Sequence, residues 1–169
     1  MKVDYNYKNV WTNFSGIVIF FIIPLTIVMI KSPKPASVIF TTILLLIFGS
    51  SIYMFIKSFI RSLNKLPAIE LTEEFYIDNL NGVKIPWSNV ISVGTINLGM
   101  WSFLSLDLSD NSIFYKQIEN PIQSLLFRFE TLLTGTSMKT NISLVDGKNE
   151  DVFWKVFNFH KQIKNKSCS

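Results

Sequence analysis

The chain has 169 residues, is 49% apolar with a mean hydropathy of +0.33, and carries a net charge of +4. That charge is uneven: residues 1–65 hold +6 and residues 66–169 hold −2. A nucleic-acid-binding domain, which needs its basic surplus on the folded part, is therefore disfavoured. A single cysteine, Cys168, excludes an internal disulfide framework and a cysteine-built zinc site, and a single histidine, His160, leaves little for a metal centre or a Ser-His-Asp triad.

In chain order, the first 65 residues read as a membrane hairpin. No charge lies between Lys8 and Lys31, or between Lys34 and Lys57, each gap being 22 residues. At about 1.5 Å per helical residue, either gap matches a hydrocarbon core of about 30 Å. The spacing predicts spans over about 12–31 and 36–57, with Pro33 and Pro35 in the connecting loop. Lys2, Lys8, Lys57, Arg61 and Lys65 flank the side of both termini, against Lys31 and Lys34 in the loop. The positive-inside rule then places both termini in the cytoplasm, with Trp11 and Tyr53 near the interface. Pro24 breaks the first apolar run and no Ala-x-Ala site follows, so a cleaved signal peptide fits poorly and the run is expected to stay as an anchor. Neither gap contains an ionisable residue, which removes the usual signature of an ion path or proton relay.

Residues 66–169 read as a small β-rich cytosolic domain. Alternation and turn signals predict strands over Ala68–Thr72, Glu74–Asn79, Val83–Trp87, Val90–Ile96, Trp101–Leu108, Ser112–Tyr115 and Met138–Val145. Asn81-Gly82 is a tight-turn dipeptide. A helix is expected from Pro121, after Asn120 as N-cap, to a stop at Gly135; Ile122, Leu125, Leu126, Phe129, Leu132 and Leu133 mark one face. A last helix opens at Asn149 with a stripe of Val152, Phe153, Val156, Phe157, His160 and Ile163. Trp154 and Phe159 lie off that stripe and are candidate partner or membrane contacts. Meander strands followed by an amphipathic helix suggest a bent β-sandwich or partly open barrel, closed at one end by the helix.

The stretch LPAIELTEEFYIDNLNGVKIPWSNVISV resembles the opening of the bacterial PH-like domains, and TSMKTNISLVDGKNEDVFWKVFNFHKQI is similar to their last strand and closing helix. The resemblance is to small bacterial membrane proteins in which two transmembrane helices precede a PH-like domain. It implies an α+β membrane protein, with a two-helix transmembrane hairpin at 1–65 and a cytosolic PH-like β-sandwich at 66–169, in the bacterial inner membrane. The matching motifs concern packing and carry over no catalytic or ligand-binding residue; the helix at 121–134 stands outside the simple pattern.

Chemical motifs are scarce. There is no glycine-rich phosphate loop and no His-Glu-x-x-His. Glu73 and Glu74 are strand neighbours pointing to opposite faces; Asp107 and Asp110 sit at a strand end and its turn. Cys168 is not four residues from the end, so no prenylation box is formed. Lys57, Arg61 and Lys65 recur every four residues, one helical face, and are the candidate contact for anionic lipid. The expected function is non-enzymatic: a membrane-anchored module that binds a protein, peptide or lipid headgroup, with no cofactor and no metal. Two alternatives stay open: an immunity protein against a membrane-active bacterial toxin, and an accessory subunit of a membrane complex. Expected partners are membrane lipids and a membrane or toxin protein, with self-association open.

Overall fold

The computed structural model describes residues 1–19, 23–31, 38–39, 42, 56–98, 101–118, 121–136 and 138–167. Its framework is two antiparallel sheets. The first has four strands in the order β1 (Lys2–Val3), β2 (Ile69–Leu71), β3 (Phe75–Asp78), β4 (Val83–Pro86). The second has three, β5 (Val90–Leu98), β6 (Trp101–Leu108), β7 (Met138–Asn141). A 3-10 turn at Trp87–Asn89 carries the chain from one sheet to the other.

Alternation explains the strands. In β4, Val83 and Ile85 are buried while Lys84 between them is exposed; in β3, Tyr76 and Asp78 point inward. Asn81-Gly82 closes the hairpin between them, Gly82 taking a φ of +76° that a side chain would resist. The two inner faces meet in one core that includes Ile69, Leu71, Tyr76, Ile85, Leu104 and Leu106. The last helix, α6 (Asn149–Ser167), lays Val152, Val156 and His160 on that core.

Among the described residues before β2 lie the helices α1 (Tyr7–Ile17), α2 (Ile23–Lys31) and α3 (residues 56–63). They correct the expected membrane hairpin. Among the described residues no helix is long and apolar enough to cross a membrane. In the first apolar run the described helices are α1, of 11 residues, and α2, of 9. Pro24, which has no N–H to give, sits in the first turn of α2. The start of α1 also belongs to the domain. Asn6 caps it by accepting from the Asn9 N–H at 3.1 Å, Asn9 Nδ2 donates to the Ser143 carbonyl at 3.0 Å, and Val10 is fully buried. Phe14 stacks on Phe59 of α3 at 4.9 Å, and Trp11 lies 5.3 Å from the same ring. The second expected span and its loop fall mostly outside the described residues, as does Tyr53. The fold is therefore α+β with two antiparallel sheets, and the transmembrane fold class and multi-pass inner-membrane placement lose their basis.

Other elements differ locally. Ser112–Tyr115, expected as a strand, is the short helix α4, because the Asp110 carboxylate accepts both the N–H and the hydroxyl of Ser112 and turns the chain there. The last strand ends at Asn141, whose side chain accepts the Ser143 N–H and starts a 3-10 turn. The first strand comes from residues 2–3, which sequence alone groups with the hairpin. The inserted helix α5 spans Pro121–Thr134; its expected cap Asn120 lies outside the described residues.

Trp87 sits where the two sheets join. It is 4% exposed, its Nε1–H donates to the Thr72 carbonyl at 2.8 Å, and its ring meets Tyr76 edge-on at 5.9 Å. Trp87→Ala should lower stability by about 3–5 kcal/mol, read as a drop in the urea midpoint.

Candidate functional site

A buried polar cluster centres on the carboxylate of Asp78, at the end of β3. It is completely buried. Its Oδ1 accepts the N–H groups of Leu80 at 2.8 Å and Asn81 at 3.0 Å. Its Oδ2 accepts Asn81 Nδ2 and the Thr140 hydroxyl of β7, both at 2.6 Å. Thr140 in turn meets the Tyr76 hydroxyl at 2.9 Å, and Asn81 Nδ2 also donates to the Lys139 carbonyl at 2.9 Å. The cluster bridges the two sheets. Burial pushes the Asp78 carboxyl up, with Thr140, Asn81 and Leu80 holding it back. Tyr76 is raised by burial and then by Asp78.

The basic residues of α3 approach this cluster from outside. Lys57 Nζ and Arg61 Nη2 lie 3.3 and 3.7 Å from where a Cβ on Gly82 would stand, so both side chains rest on the β3–β4 turn. Arg61 Nη1 is buried without a hydrogen-bond partner among the described residues. Burial raises the Tyr5 hydroxyl, as does Asp78, while Arg61 and the Ser58 side chain oppose. Lys65 is different: it is exposed at φ +53°, where it ends α3. The Leu66 N–H bonds the Arg61 carbonyl and the Lys65 N–H the Ser62 carbonyl, both at 3.1 Å, a Schellman-type stop. The three residues thus split into two that cover a turn and one that caps a helix. An open cleft of about 480 Å³ lies beside them, between Asp4, Tyr5 and Tyr7 on one side and Ser62, Lys65 and Leu66 on the other.

The apolar face of α5 is turned outward. Leu125, Phe129 and Leu132 are 68%, 58% and 81% exposed. At spacings of four and three residues they lie on one side of the helix. The opposite side is pinned: Phe127 packs edge-on against Phe114 at 5.3 Å, and the Tyr115 hydroxyl donates to Thr131 Oγ1 at 2.9 Å. Arg128 lies 5.0 Å from the Tyr115 ring centre.

On α6, Trp154 is 53% exposed and packs on Phe153 and Phe157 of its own helix. Phe159 is half-buried against Trp87 at 5.7 Å, so it serves packing. His160 is buried beside Trp87, its Nε2 3.2 Å from the Val90 carbonyl. Glu73 faces Lys166 at 3.5 Å on the surface, Asp107 accepts the Ser92 hydroxyl, and Asp110 turns α4. Glu74 is exposed. Cys168 lies outside the described residues. No group of three His, Cys, Asp or Glu that could hold a metal exists among the described residues. Periodicity found the α5 stripe but not its outward direction. The Asp78 cluster had one sequence signal, an acid three residues before Asn81-Gly82, and its partner Thr140 lies 62 positions away.

No family model, no curated protein and no solved structure matches the chain. The likeness to PH-like membrane proteins thus rests on its quoted motifs alone.

Two measurements follow. Thr140→Val keeps the shape but leaves the buried Tyr76 hydroxyl unpaired and removes one donor to Asp78; unfolding free energy should fall by about 1–3 kcal/mol, measured in denaturant. Burial holds the His160 imidazole below its ordinary 6.5; the Val90 carbonyl acts upward and Lys164 downward. Between its folded value and 6.5 the unfolded chain takes up a proton that the folded chain refuses. Stability is therefore full above that range and falls as pH drops through it. His160→Gln should flatten this acid limb in unfolding curves taken at stepped pH.

Proposed function

We propose that the chain is a non-enzymatic binding module that engages a protein partner through the outer face of α5 and acts by occupancy. The observation behind this reading is the two-sidedness of that helix. Its inner side is held by Phe127 and Thr131, while Leu125, Phe129 and Leu132 present a contiguous apolar strip to the outside. Large apolar side chains lined up on one side of an anchored helix mark an interaction surface more often than isolated exposed ones do, and aromatic side chains such as Phe129 are enriched at protein contacts. The polar groups brought together elsewhere, around Asp78, are already engaged with one another inside the protein.

A photo-crosslinking residue placed at Leu125 or Leu132 in the native host should trap one discrete partner, and the same residue at exposed Asn158 should not. Phe129→Asp should abolish that crosslink while leaving the unfolding midpoint of the purified protein unchanged. Trapping that is equal at all three positions, or that survives Phe129→Asp, removes α5 as the contact.

A further inference from the structure

Asn81 and Gly82 close the turn between β3 and β4, and they are the one Asn-Gly pair in the sequence. That dipeptide has a chemistry of its own. The main-chain nitrogen of the glycine can attack the side-chain carbonyl carbon of the asparagine, because glycine has no Cβ to crowd the ring that closes. The bond from nitrogen to Cγ forms, the Cγ–Nδ2 bond breaks, and ammonia leaves with the proton that the main-chain amide gives up. Water then opens the cyclic imide at one of its two carbonyls, giving aspartate or its β-linked isomer. Nothing is oxidised or reduced, and water is the co-reactant.

The fold holds both reacting groups. The Gly82 N–H donates to the Asp78 main-chain carbonyl at 2.8 Å, so the nucleophile keeps its proton. The leaving group, Asn81 Nδ2, donates to Asp78 Oδ2 at 2.6 Å and to the Lys139 carbonyl at 2.9 Å. The Asn81 main-chain N–H donates to Asp78 Oδ1 at 3.0 Å. Three of these four bonds end on the completely buried Asp78. Lys57 and Arg61, resting on Gly82 from outside, are the groups that would ease the loss of its proton; the bonds to Asp78 act against them.

The product does not fit the same place. An aspartate at position 81 sets a carboxylate against two acceptors, Asp78 Oδ2 and the Lys139 carbonyl, where an amide donated to both. Like charges then face each other beside a site sealed from water, where repulsion is least screened. The β-linked isomer lengthens the main chain within the turn and displaces the Gly82 N–H from the Asp78 carbonyl. Lys57 and Arg61 stand on the outer side, so they draw a new carboxylate away from the cluster.

We propose that Asn81 is a deamidation site that folding closes: it is converted while the β3–β4 turn is open, and conversion bars the Asp78 cluster from forming again. Unfolding then becomes permanent through a covalent change in the open chain. This inference is separate from the α5 contact and does not depend on it.

The full-length chain is held at mildly alkaline pH, in native buffer and in guanidinium chloride, and residue 81 is followed by peptide mapping with mass spectrometry. Conversion should be at least tenfold faster in denaturant. After dilution from denaturant, chains with intact Asn81 should regain protease resistance while converted chains are digested. Both readings use the wild type. Purified Asn81→Asp should unfold at lower denaturant than the wild type. Equal conversion rates in the two solvents overturn the proposal, as does an absence of conversion in denaturant. So do converted chains that regain full protease resistance, or an Asn81→Asp protein with the wild-type midpoint.

Discussion

A carboxylate sealed from water has to find its hydrogen bonds inside the protein, and in this chain that demand ties the two sheets together. Leaving such a group unpaired costs several kcal/mol. Asp78 meets the demand with four donors, and one of them, the Thr140 hydroxyl, belongs to the other sheet. The register of β7 on β6 sets Thr140 opposite Leu104 and keeps it facing inward. A slip of one residue would bring Lys139 or Asn141 to that face and strand the carboxylate. Asn81 adds a second tie, through its contact with the Lys139 carbonyl. The β3–β4 turn and the β7 register are both held by this one group, and Lys57 and Arg61 lie over that turn at Gly82.

How far the sequence shows this depends on how local each signal is. Trp101–Leu108 alternates over eight residues, and its strand is found with the same limits. Ser112–Tyr115 is a four-residue run, too short for periodicity to separate strand from helix; the deciding group is Asp110, outside the run. β1 is only two residues long and becomes a strand through its partner at Ile69–Glu70. The apolar runs before residue 57 show hydrophobicity plainly but not which residues near them serve the domain: Val10 is spent on its core. In α5 the pattern reveals a stripe, yet a stripe has no sign: the adjoining Phe127 packs inward, and Leu132 faces out. The quoted PH-like motifs describe packing and carry no ligand, so the candidate site had to come from exposure and hydrogen bonding.

Among the described residues, apolar and polar groups are set out in opposite ways. α5 turns Leu125, Phe129 and Leu132 outward, a surface that selects by shape. Asp78 and its partners turn their polarity inward and answer one another's hydrogen bonds. The first leaves side chains for a partner to cover, the second leaves nothing for one to bind.

β1 and β2 lie side by side although residues 4–68 separate them along the chain. The two ends of that long segment are thus clasped by one sheet, and its beginning, through Tyr5 and Val10, and its last helix, through Lys57 and Arg61, pack on the domain. Closure entropy grows only with the logarithm of loop length, about 0.6 kcal/mol for each doubling. The segment could lengthen or shorten considerably at little thermodynamic cost to the clasp. The clasp itself is small, two residue pairs, and must form across the largest separation in its sheet. Contacts of that span must meet their closure entropy before they are rewarded. β2, β3 and β4, joined by short turns, carry no such cost, so β1 is the strand of this sheet whose pairing depends most on the rest being in place.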